Sequence, residues 1–263
     1  MQIPLYIVDA FTNRLFSGNP AAVCPLEQWL GDEIMQAIAA ENNLSETAFF
    51  VKGPEGYHLR WFTPRVEVDL CGHATLASAH VLFHCLGAEA DTVSFQTRSG
   101  NLTVTKEDKR LSMDFPAREL TGISFASTIE AGVGVRPEEV YKSGLMYLAV
   151  FRSEGDIRGI RPDFAKIAAI DCNGIIVTAK GENVDFVSRF FGPRVGIPED
   201  PVTGSAHCTL IPYWSKRLNK TKLHALQISP RGGELFCEAL GERVKIAGQS
   251  VIYSQGNIAL PEA

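Results

Sequence analysis

The chain has 263 residues, of which 45% are apolar, 21% charged and 9% aromatic. This composition is typical of a globular protein with a substantial core and excludes disordered and fibrous classes. Thirty acidic and twenty-five basic side chains give a net charge of −5 without a cluster of Lys or Arg, so no nucleic-acid partner is expected.

The first half of the chain predicts several strands and two helices. Residues 32–40 carry Met35, Ile38 and Ala39 at helical spacing, which predicts a surface helix. Residues 72–86 have few charges and no amphipathic stripe, which predicts a helix surrounded by sheet. Short β-branched and aromatic runs between turn residues predict strands at 5–8, 47–51, 57–62, 92–96, 102–105 and 111–115.

The strand pattern weakens over residues 116–132 and then resumes. A surface helix is predicted over 162–168 and a second apolar helix over 204–218. Further strands are predicted at 146–150, 174–178, 184–191, 225–229, 235–239 and 244–246.

A repeated motif indicates two homologous lobes. Residues 62–66 read FTPRV and 69–74 read DLCGHA, whereas 191–195 read FGPRV and 202–206 read VTGSA. An Ile-Ala-Ala triplet precedes each copy, at 38–40 and 167–169. The predicted fold class is therefore α+β with two pseudo-symmetric lobes. The expected N-terminal lobe comprises residues 1–117, and 252–263 is a candidate segment to complete it. The expected C-terminal lobe comprises residues 130–251.

Each copy of the motif places a glycine at the start of a predicted helix, at Gly72-His73 and Gly204-Ser205. A helix start presents unpaired N–H groups and the positive end of the helix dipole, which favours carboxylate or phosphate binding. Two such starts facing one cleft would hold a small anionic molecule. The alternative is that these glycines only cap their helices.

Seven sequence blocks carry a resemblance to a known family. They read VDAFT at 8–12, GNPAAV at 18–23, NLSETAF at 43–49, FTP at 62–64, DLCGHAT at 69–75, EDPVTGSAH at 199–207 and RGG at 231–233. In this order the chain resembles the phenazine-biosynthesis PhzF-like family, whose fold is similar to that of diaminopimelate epimerase. The resemblance implies two lobes, each a curled, mostly antiparallel, barrel-like sheet around one central helix. It also implies an active site between the lobes, no cofactor and a homodimer.

The resemblance makes Glu46 the acid/base residue, with His73, Asp200 and Ser205 beside it. The family's namesake isomerises a dihydro-hydroxyanthranilic acid by moving a proton between ring carbons. The expected activity is therefore a cofactor-independent isomerisation of a small carboxylic acid, without a metal. The helix starts at Gly72 and Gly204 would hold the substrate carboxylate.

Asn19 and Arg231 are weaker candidates for contacts with the substrate. Asp200 is a candidate to orient His73 or a substrate amine, or else to cap the following helix. No membrane association is expected, because no apolar run reaches roughly 18 residues and the N-terminal residues lack a signal-peptide pattern. A cytoplasmic location is predicted.

Two other functions remain open. The first is an amino-acid racemase or epimerase that uses Cys71 with another acid/base residue. A symmetric two-thiol mechanism is disfavoured, because the matching position is Thr203, whose hydroxyl is a far weaker acid than a thiol. The second is a protein that binds a small carboxylate without catalysis.

Other kinds of site find less support. The six cysteines show no CxxC spacing, and His80 and His84 share a helix face without a nearby glutamate, so no metal site is expected. A cysteine hydrolase built on Cys71 and His73 is disfavoured, because neighbours two apart at a helix start are not expected to converge. Residues 132–134, Gly-Val-Gly, lack the remainder of a dinucleotide-binding motif.

Overall fold

The structure, a computed structural model that describes residues 1–261, contains two compact units. The first comprises Met1–Asp114 and the segment from Ala247 onward, and the second comprises Phe115–Ile246. Residues 262 and 263, which end the segment proposed to complete the first lobe, lie outside the described residues. No helix of the described chain combines the length and apolar composition needed to cross a membrane.

Strands dominate the first unit. Its elements are β1 (Gln2–Ala10), β2 (Asn19–Leu26), α1 (Asp32–Asn42), β3 (Glu46–Gly53), β4 (Gly56–Phe62), β5 (Glu67–Val68), α2 (Gly72–His80), β6 (Thr92–Thr97), β7 (Gly100–Glu107) and β8 (Arg110–Pro116), whose last two residues belong to the second unit.

The second unit repeats this mixture of strands and helices. Its elements are β9 (Thr121–Gly122), α3 (Ala126–Val133), β10 (Glu139–Ser143), β11 (Met146–Val150), α4 (Glu154–Gly159), α5 (Phe164–Ala168), β12 (Gly174–Lys180), β13 (Phe186–Gly192), β14 (Ile197–Asp200), α6 (Gly204–Leu218), β15 (Lys222–Gln227), β16 (Gly233–Leu240) and β17 (Arg243–Gly248). The chain returns to the first unit at the end of β17 and finishes with β18 (Ser250–Ala259).

The strand pairings of the two units follow the same sequence. In the first unit β1–β2 is antiparallel, β2–β3 parallel, β3–β4 and β4–β5 antiparallel, β4–β6 parallel and β6–β7 antiparallel. In the second unit β10–β11, β11–β12, β12–β13, β13–β14, β13–β15 and β15–β16 repeat that order of orientations. The α+β fold of two similar, mostly antiparallel lobes is thereby confirmed.

Parallel neighbours need a crossover connection, and helices supply it at matching places in both units. Helix α1 lies between β2 and β3, and α2 lies between β4 and β6. In the second unit α4 and α5 lie between β11 and β12, and α6 lies between β13 and β15. The sequence repeat therefore marks a duplicated supersecondary unit.

Helix α1 covers its sheet as its sequence pattern predicts. Met35, Ile38 and Ala39 are buried on one face and pack in a cluster with Phe49 and Phe62. The helix ends where Asn43 adopts a left-handed conformation with φ of 49°, which Asn tolerates better than most residues. This turn leads directly into β3, so it fixes where Glu46 enters the sheet.

The central helices begin at the predicted glycines. Residues 73–80 of α2 are all buried, and the helix packs against β1, β2, β3, β7 and β18. Helix α6 has the predicted bounds, but α2 ends at His80. The predicted extension to residue 86 is instead a π-helical turn over Val81–Cys85, closed by a hydrogen bond from the Leu86 N–H to the Val81 carbonyl.

Two long strands have no predicted counterpart. Strand β2 contains Pro20 and Pro25, which weaken the local strand pattern because proline has no N–H to donate. Strand β18 is largely exposed and forms by antiparallel pairing with β1. The predicted strand at 225–229 ends at Gln227, and Ser229 lies in the turn that follows.

Candidate active site

Three elements bring the candidate residues of the first unit together. Asn19 begins β2 and Glu46 begins β3, and these strands are parallel with Ala21 opposite Glu46. Helix α2, which packs on both strands, carries His73 in its first turn directly after the N-cap residue Cys71. Residues far apart in the sequence therefore meet at the N-terminus of the buried helix.

The imidazole of His73 lies at the centre of this group. Its Nε2 is 3.3 Å from Oε2 of Glu46, and its Nδ1 is 3.3 Å from Nδ2 of Asn19. The Sγ atom of Cys71 lies 3.5 Å from the same Nδ1. All four side chains are buried, and Glu46 is only 8% exposed. Glu46 is therefore not the surface carboxylate that an isolated glutamate after a turn would be.

Burial determines the charge of His73. Desolvation lowers its pKa from 6.5 to about 3, so the ring is neutral at physiological pH. With the amide nitrogen of Asn19 facing it, Nδ1 accepts a hydrogen bond in the tautomer that carries the ring hydrogen on Nε2. Nε2 faces the Glu46 carboxylate in close contact, but the two atoms do not form a hydrogen bond in this structure. His73 is thus a neutral polar neighbour of Glu46 and not a proton donor.

One expectation from the sequence was wrong. Cys71 and His73 do converge, because Cys71 has an extended backbone with φ of −144° and ψ of 108°, and its thiol turns toward the imidazole. Donor atoms of Glu46, Cys71 and His73 lie within 4.8 Å of one another, which makes them a group that could hold a metal ion. The ring contacts Cys71 and Glu46 through different nitrogens, so a shared ion would require rearrangement.

The corresponding residues of the second unit lie at the start of α6. Asp200 ends β14, Thr203 is the N-cap residue, and Gly204 and Ser205 form the first turn. Asp200 is buried, whereas Ser205 is partly exposed. Oγ1 of Thr203 donates a hydrogen bond of 2.5 Å to Oδ2 of Asp200. Asp200 is three residues before the N-cap position and is not itself the N-cap residue of α6.

The side chains at both N-cap positions are directed away from the helix N–H groups. Cys71 contacts His73, and Thr203 contacts Asp200, and neither makes a capping hydrogen bond. First-turn N–H groups that are not capped in this way suit a carboxylate ligand. The two helix starts predicted as anion sites have this property in common.

Gln227 is a buried residue beside Asp200 that the sequence motifs do not indicate. Its side chain bonds to both Asp200 and Thr203. Arg231, a weaker candidate, lines a cavity of about 210 Å³ together with Gln227, Ser229 and Arg158. Arg158 forms an ion pair with Glu154. A lone Gln in a strand has no motif around it, so only the fold reveals this contact.

Comparison with known proteins gives the following findings. Residues 8–256 match the family described as phenazine biosynthesis-like protein. An uncharacterized isomerase of Pseudomonas aeruginosa is 53% identical over 260 residues, which cover 99% of this chain and 100% of the relative. An uncharacterized isomerase of Halalkalibacterium halodurans is 46% identical over 264 residues, with 99% and 100% covered. The crystal structure of a PhzF-family phenazine biosynthesis protein of Enterococcus faecalis has a TM-score of 0.96 at 50% identity, covering 99% of this chain and 100% of that one.

Proposed function

Because the chain belongs to the phenazine biosynthesis-like protein family, we propose that it is an isomerase that moves a proton within a small carboxylic acid. Glu46 is the proposed acid/base residue. The observation that supports this role is the position of its buried carboxylate 3.3 Å from the Nε2–H of a neutral His73. Similarity to named isomerases supports the reaction class, and the local geometry supports the choice of residue.

The proposed reaction needs one base and no net oxidation. The Glu46 carboxylate takes a proton from a carbon of the substrate, so a C–H bond breaks and a carboxyl O–H bond forms. The electron pair left behind is delocalised into the unsaturated or carboxylate-bearing part of the substrate. The carboxyl hydrogen of Glu46 exchanges with solvent, and Glu46 then gives a proton to a second carbon, which restores the enzyme and lets deuterium enter the product in D₂O.

The other residues have supporting roles in this proposal. His73, whose Nε2 lies 3.3 Å from Oε2 of Glu46, is proposed to orient the Glu46 carboxylate, and Asn19 holds the imidazole from its opposite edge. The uncapped N–H groups that begin with Gly72 and Gly204 stabilise the substrate carboxylate and the negative charge that develops during reaction. Asp200 and Ser205 are proposed to bind polar groups of the substrate.

A racemase that uses Cys71 is the second candidate function, because the thiol lies 3.5 Å from His73 Nδ1. A symmetric two-thiol racemase mechanism would need a second cysteine opposite Cys71, at the position that Thr203 occupies. The hydroxyl of Thr203, at the matching position, already donates to Asp200. Only a pair of Cys71 with a carboxylate would complete such a mechanism.

Deuterium exchange separates these functions. The protein is incubated in D₂O with a panel of unsaturated cyclic and amino carboxylic acids, and deuterium incorporation is followed by NMR. We expect exchange in the wild type and in Cys71→Ser, and a loss of about 10²- to 10⁴-fold in Glu46→Gln. Glu41→Gln, at an exposed position of α1, is the matched control.

Exchange that survives Glu46→Gln and disappears in Cys71→Ser would overturn the proposal in favour of the thiol mechanism. Binding of acids without any exchange would favour a non-catalytic protein. Three expectations remain predictions from the sequence: a substrate site formed by both lobes, a homodimer and a cytoplasmic location. Light scattering measures the oligomeric state directly.

A further inference from the structure

Among the described residues, Nε2 of the buried His73 has no hydrogen-bond partner, although Oε2 of Glu46 lies 3.3 Å from it. A buried polar atom in this state is uncommon and requires a physical reason. In tetrahedral zinc sites the metal lies about 2.0–2.2 Å from nitrogen and oxygen, so these two ligand atoms are about 3.3–3.5 Å apart. The separation of Nε2 and Oε2 therefore fits two ligands of one zinc ion.

Cys71 can supply a third ligand from the N-cap position of the same helix. Its Sγ lies 3.5 Å from Nδ1 of His73 and within 4.8 Å of a carboxylate oxygen of Glu46. Zinc–sulfur bonds are about 2.3 Å long, so sulfur and oxygen on one zinc ion are about 3.6 Å apart. A shift of about 1 Å, shared by the Cys71 and Glu46 side chains, therefore completes the set of ligands.

Asn19 can hold the imidazole in the tautomer that zinc requires. A nitrogen that binds a metal carries no hydrogen, so zinc at Nε2 places the ring hydrogen on Nδ1. The side-chain amide of Asn19 faces Nδ1, with its nitrogen 3.3 Å away. A half-turn of this amide brings its oxygen there instead, and the oxygen accepts the hydrogen of Nδ1. Such an acceptor on the second ring nitrogen is usual for histidines that bind metals.

We propose that Glu46, Cys71 and His73 form a zinc site within the first unit, and that zinc bound there inhibits the protein. One carboxylate oxygen, the thiolate and Nε2 bind the ion, and the Cys71 thiol releases one proton to solvent. The negative charges of the carboxylate and the thiolate offset the charge of the buried ion. A carboxylate has about four lone-pair positions, so Glu46 keeps others for its further contacts.

The donor atoms select the kind of cation. Thiolate and imidazole suit Zn²⁺ and Co²⁺, whereas Mg²⁺ and Ca²⁺ prefer oxygen ligands. Zinc is an inhibitor here and not a cofactor, because a carboxylate that binds the ion is no longer available to take a proton. The inhibition rests on the proposed function, since it requires Glu46 to be the base. The binding of zinc does not.

Zinc binding is measured on the whole protein, without substrate, by competition with a chromogenic chelator. We expect one Zn²⁺ per chain, bound in the presence of excess Mg²⁺. Cys71→Ser and Glu46→Gln should each weaken binding by more than about 100-fold, because each removes a ligand, and Asn19→Ala by about 10- to 100-fold. With Co²⁺ as the probe, the charge-transfer absorption of a metal-bound thiolate should appear in the wild type and be absent in Cys71→Ser.

Glu234→Gln is the matched control. Glu234 also lies beside a histidine, with 2.8 Å between its Oε1 and Nε2 of His224, but these side chains are 40% and 38% exposed. Its zinc affinity is expected to equal that of the wild type. An unchanged zinc affinity in Cys71→Ser, or no binding by the wild type at micromolar concentrations, would overturn the site.

Deuterium exchange then tests the inhibition. Zinc should abolish exchange in the wild type, a chelator should restore it, and Cys71→Ser should need more zinc in proportion to its weaker binding. Full exchange by the zinc-bound protein would refute the inhibition. If the metal-free wild type exchanges none of the acids, the proposed function and with it the inhibition are contradicted, whereas the zinc site stands on the binding measurements.

Discussion

Nε2 of His73 lies 3.3 Å from Oε2 of Glu46, and the histidine is neutral because burial lowers its pKa to about 3. A neutral imidazole places a polar neighbour beside the carboxylate without the Coulomb attraction of an imidazolium. The proposed base Glu46 therefore keeps the basicity that an imidazolium neighbour would reduce.

Substitution of His73 tests whether its imidazole orients Glu46 during turnover. We expect His73→Gln, which keeps an N–H donor near the position of Nε2, to retain more activity than His73→Phe, which removes it. We expect the contact of Nε2 with Glu46 to tighten into a hydrogen bond during turnover; a hydrogen bond to a charged group is worth roughly 1.5–3 kcal/mol, so His73→Phe should lower turnover by about 10- to 100-fold. Equal activity of the two variants, measured by deuterium exchange, would contradict this role.

Stability should fall as the pH drops below about 6.5. Burial lowers the folded-state pKa of His73 to about 3 and of His80 and His207 to about 4. The unfolded chain therefore binds protons that the folded chain does not, so acid favours unfolding. Each histidine contributes a loss of at most about 1.4 kcal/mol per pH unit between about pH 6.5 and its folded-state pKa.

Urea unfolding at several pH values measures this loss. His73→Gln removes one of the three titrations, and we expect the pH dependence of the unfolding free energy to become shallower by about one proton. Unfolding free energies that stay constant down to about pH 5 would contradict the argument.

The ion pair between Arg189 and Glu199 should stabilise the hairpin that carries Asp200. The guanidinium of Arg189 donates two hydrogen bonds to the carboxylate of Glu199. The side chains of Arg189 and Glu199 are only 10% and 13% exposed. Glu199→Gln leaves a buried guanidinium without its counter-charge, and we expect a loss of about 3–5 kcal/mol in unfolding free energy. The two strands β13 and β14 should separate more easily as a result.

An exposed pair supplies the control for this prediction. Arg136 and Glu130 are 64% and 42% exposed, and Glu130→Gln should cost no more than about 1 kcal/mol. Similar losses for the two variants in urea unfolding would show that burial is not the deciding factor.

Gly18 precedes Asn19, and the backbone there leaves no room for a side chain. Its φ is 70°, and an added Cβ would lie 2.2 Å from the Ala10 carbonyl oxygen. We expect Gly18→Ala to destabilise the protein by about 1–3 kcal/mol and to weaken activity by displacing Asn19 from His73. Gly31→Ala is the matched control, since nothing lies within 4 Å of its added Cβ. In thermal unfolding, Gly18→Ala should have a lower midpoint temperature than Gly31→Ala.

Local patterns were sufficient for much of the fold. The spacing of Met35, Ile38 and Ala39 predicted the buried face of α1, and the glycines at 72 and 204 predicted where both central helices begin. Strands β2 and β18 could not be predicted in this way, because one contains prolines and the other is mostly polar and exposed. Their pairing with β1 supplies hydrogen bonds that local propensity does not reveal.

The sequence alone determined the duplicated order of elements, the starts of the central helices and the family blocks that contain Glu46, His73 and Asp200. These features are local, since they depend on residue type and spacing along the chain. Only the tertiary structure decided the contacts of His73 with Glu46 and Cys71 and the link from Gln227 to Asp200. Such contacts join residues from separate strands and helices, so burial and hydrogen-bond polarity fix them after the chain has packed.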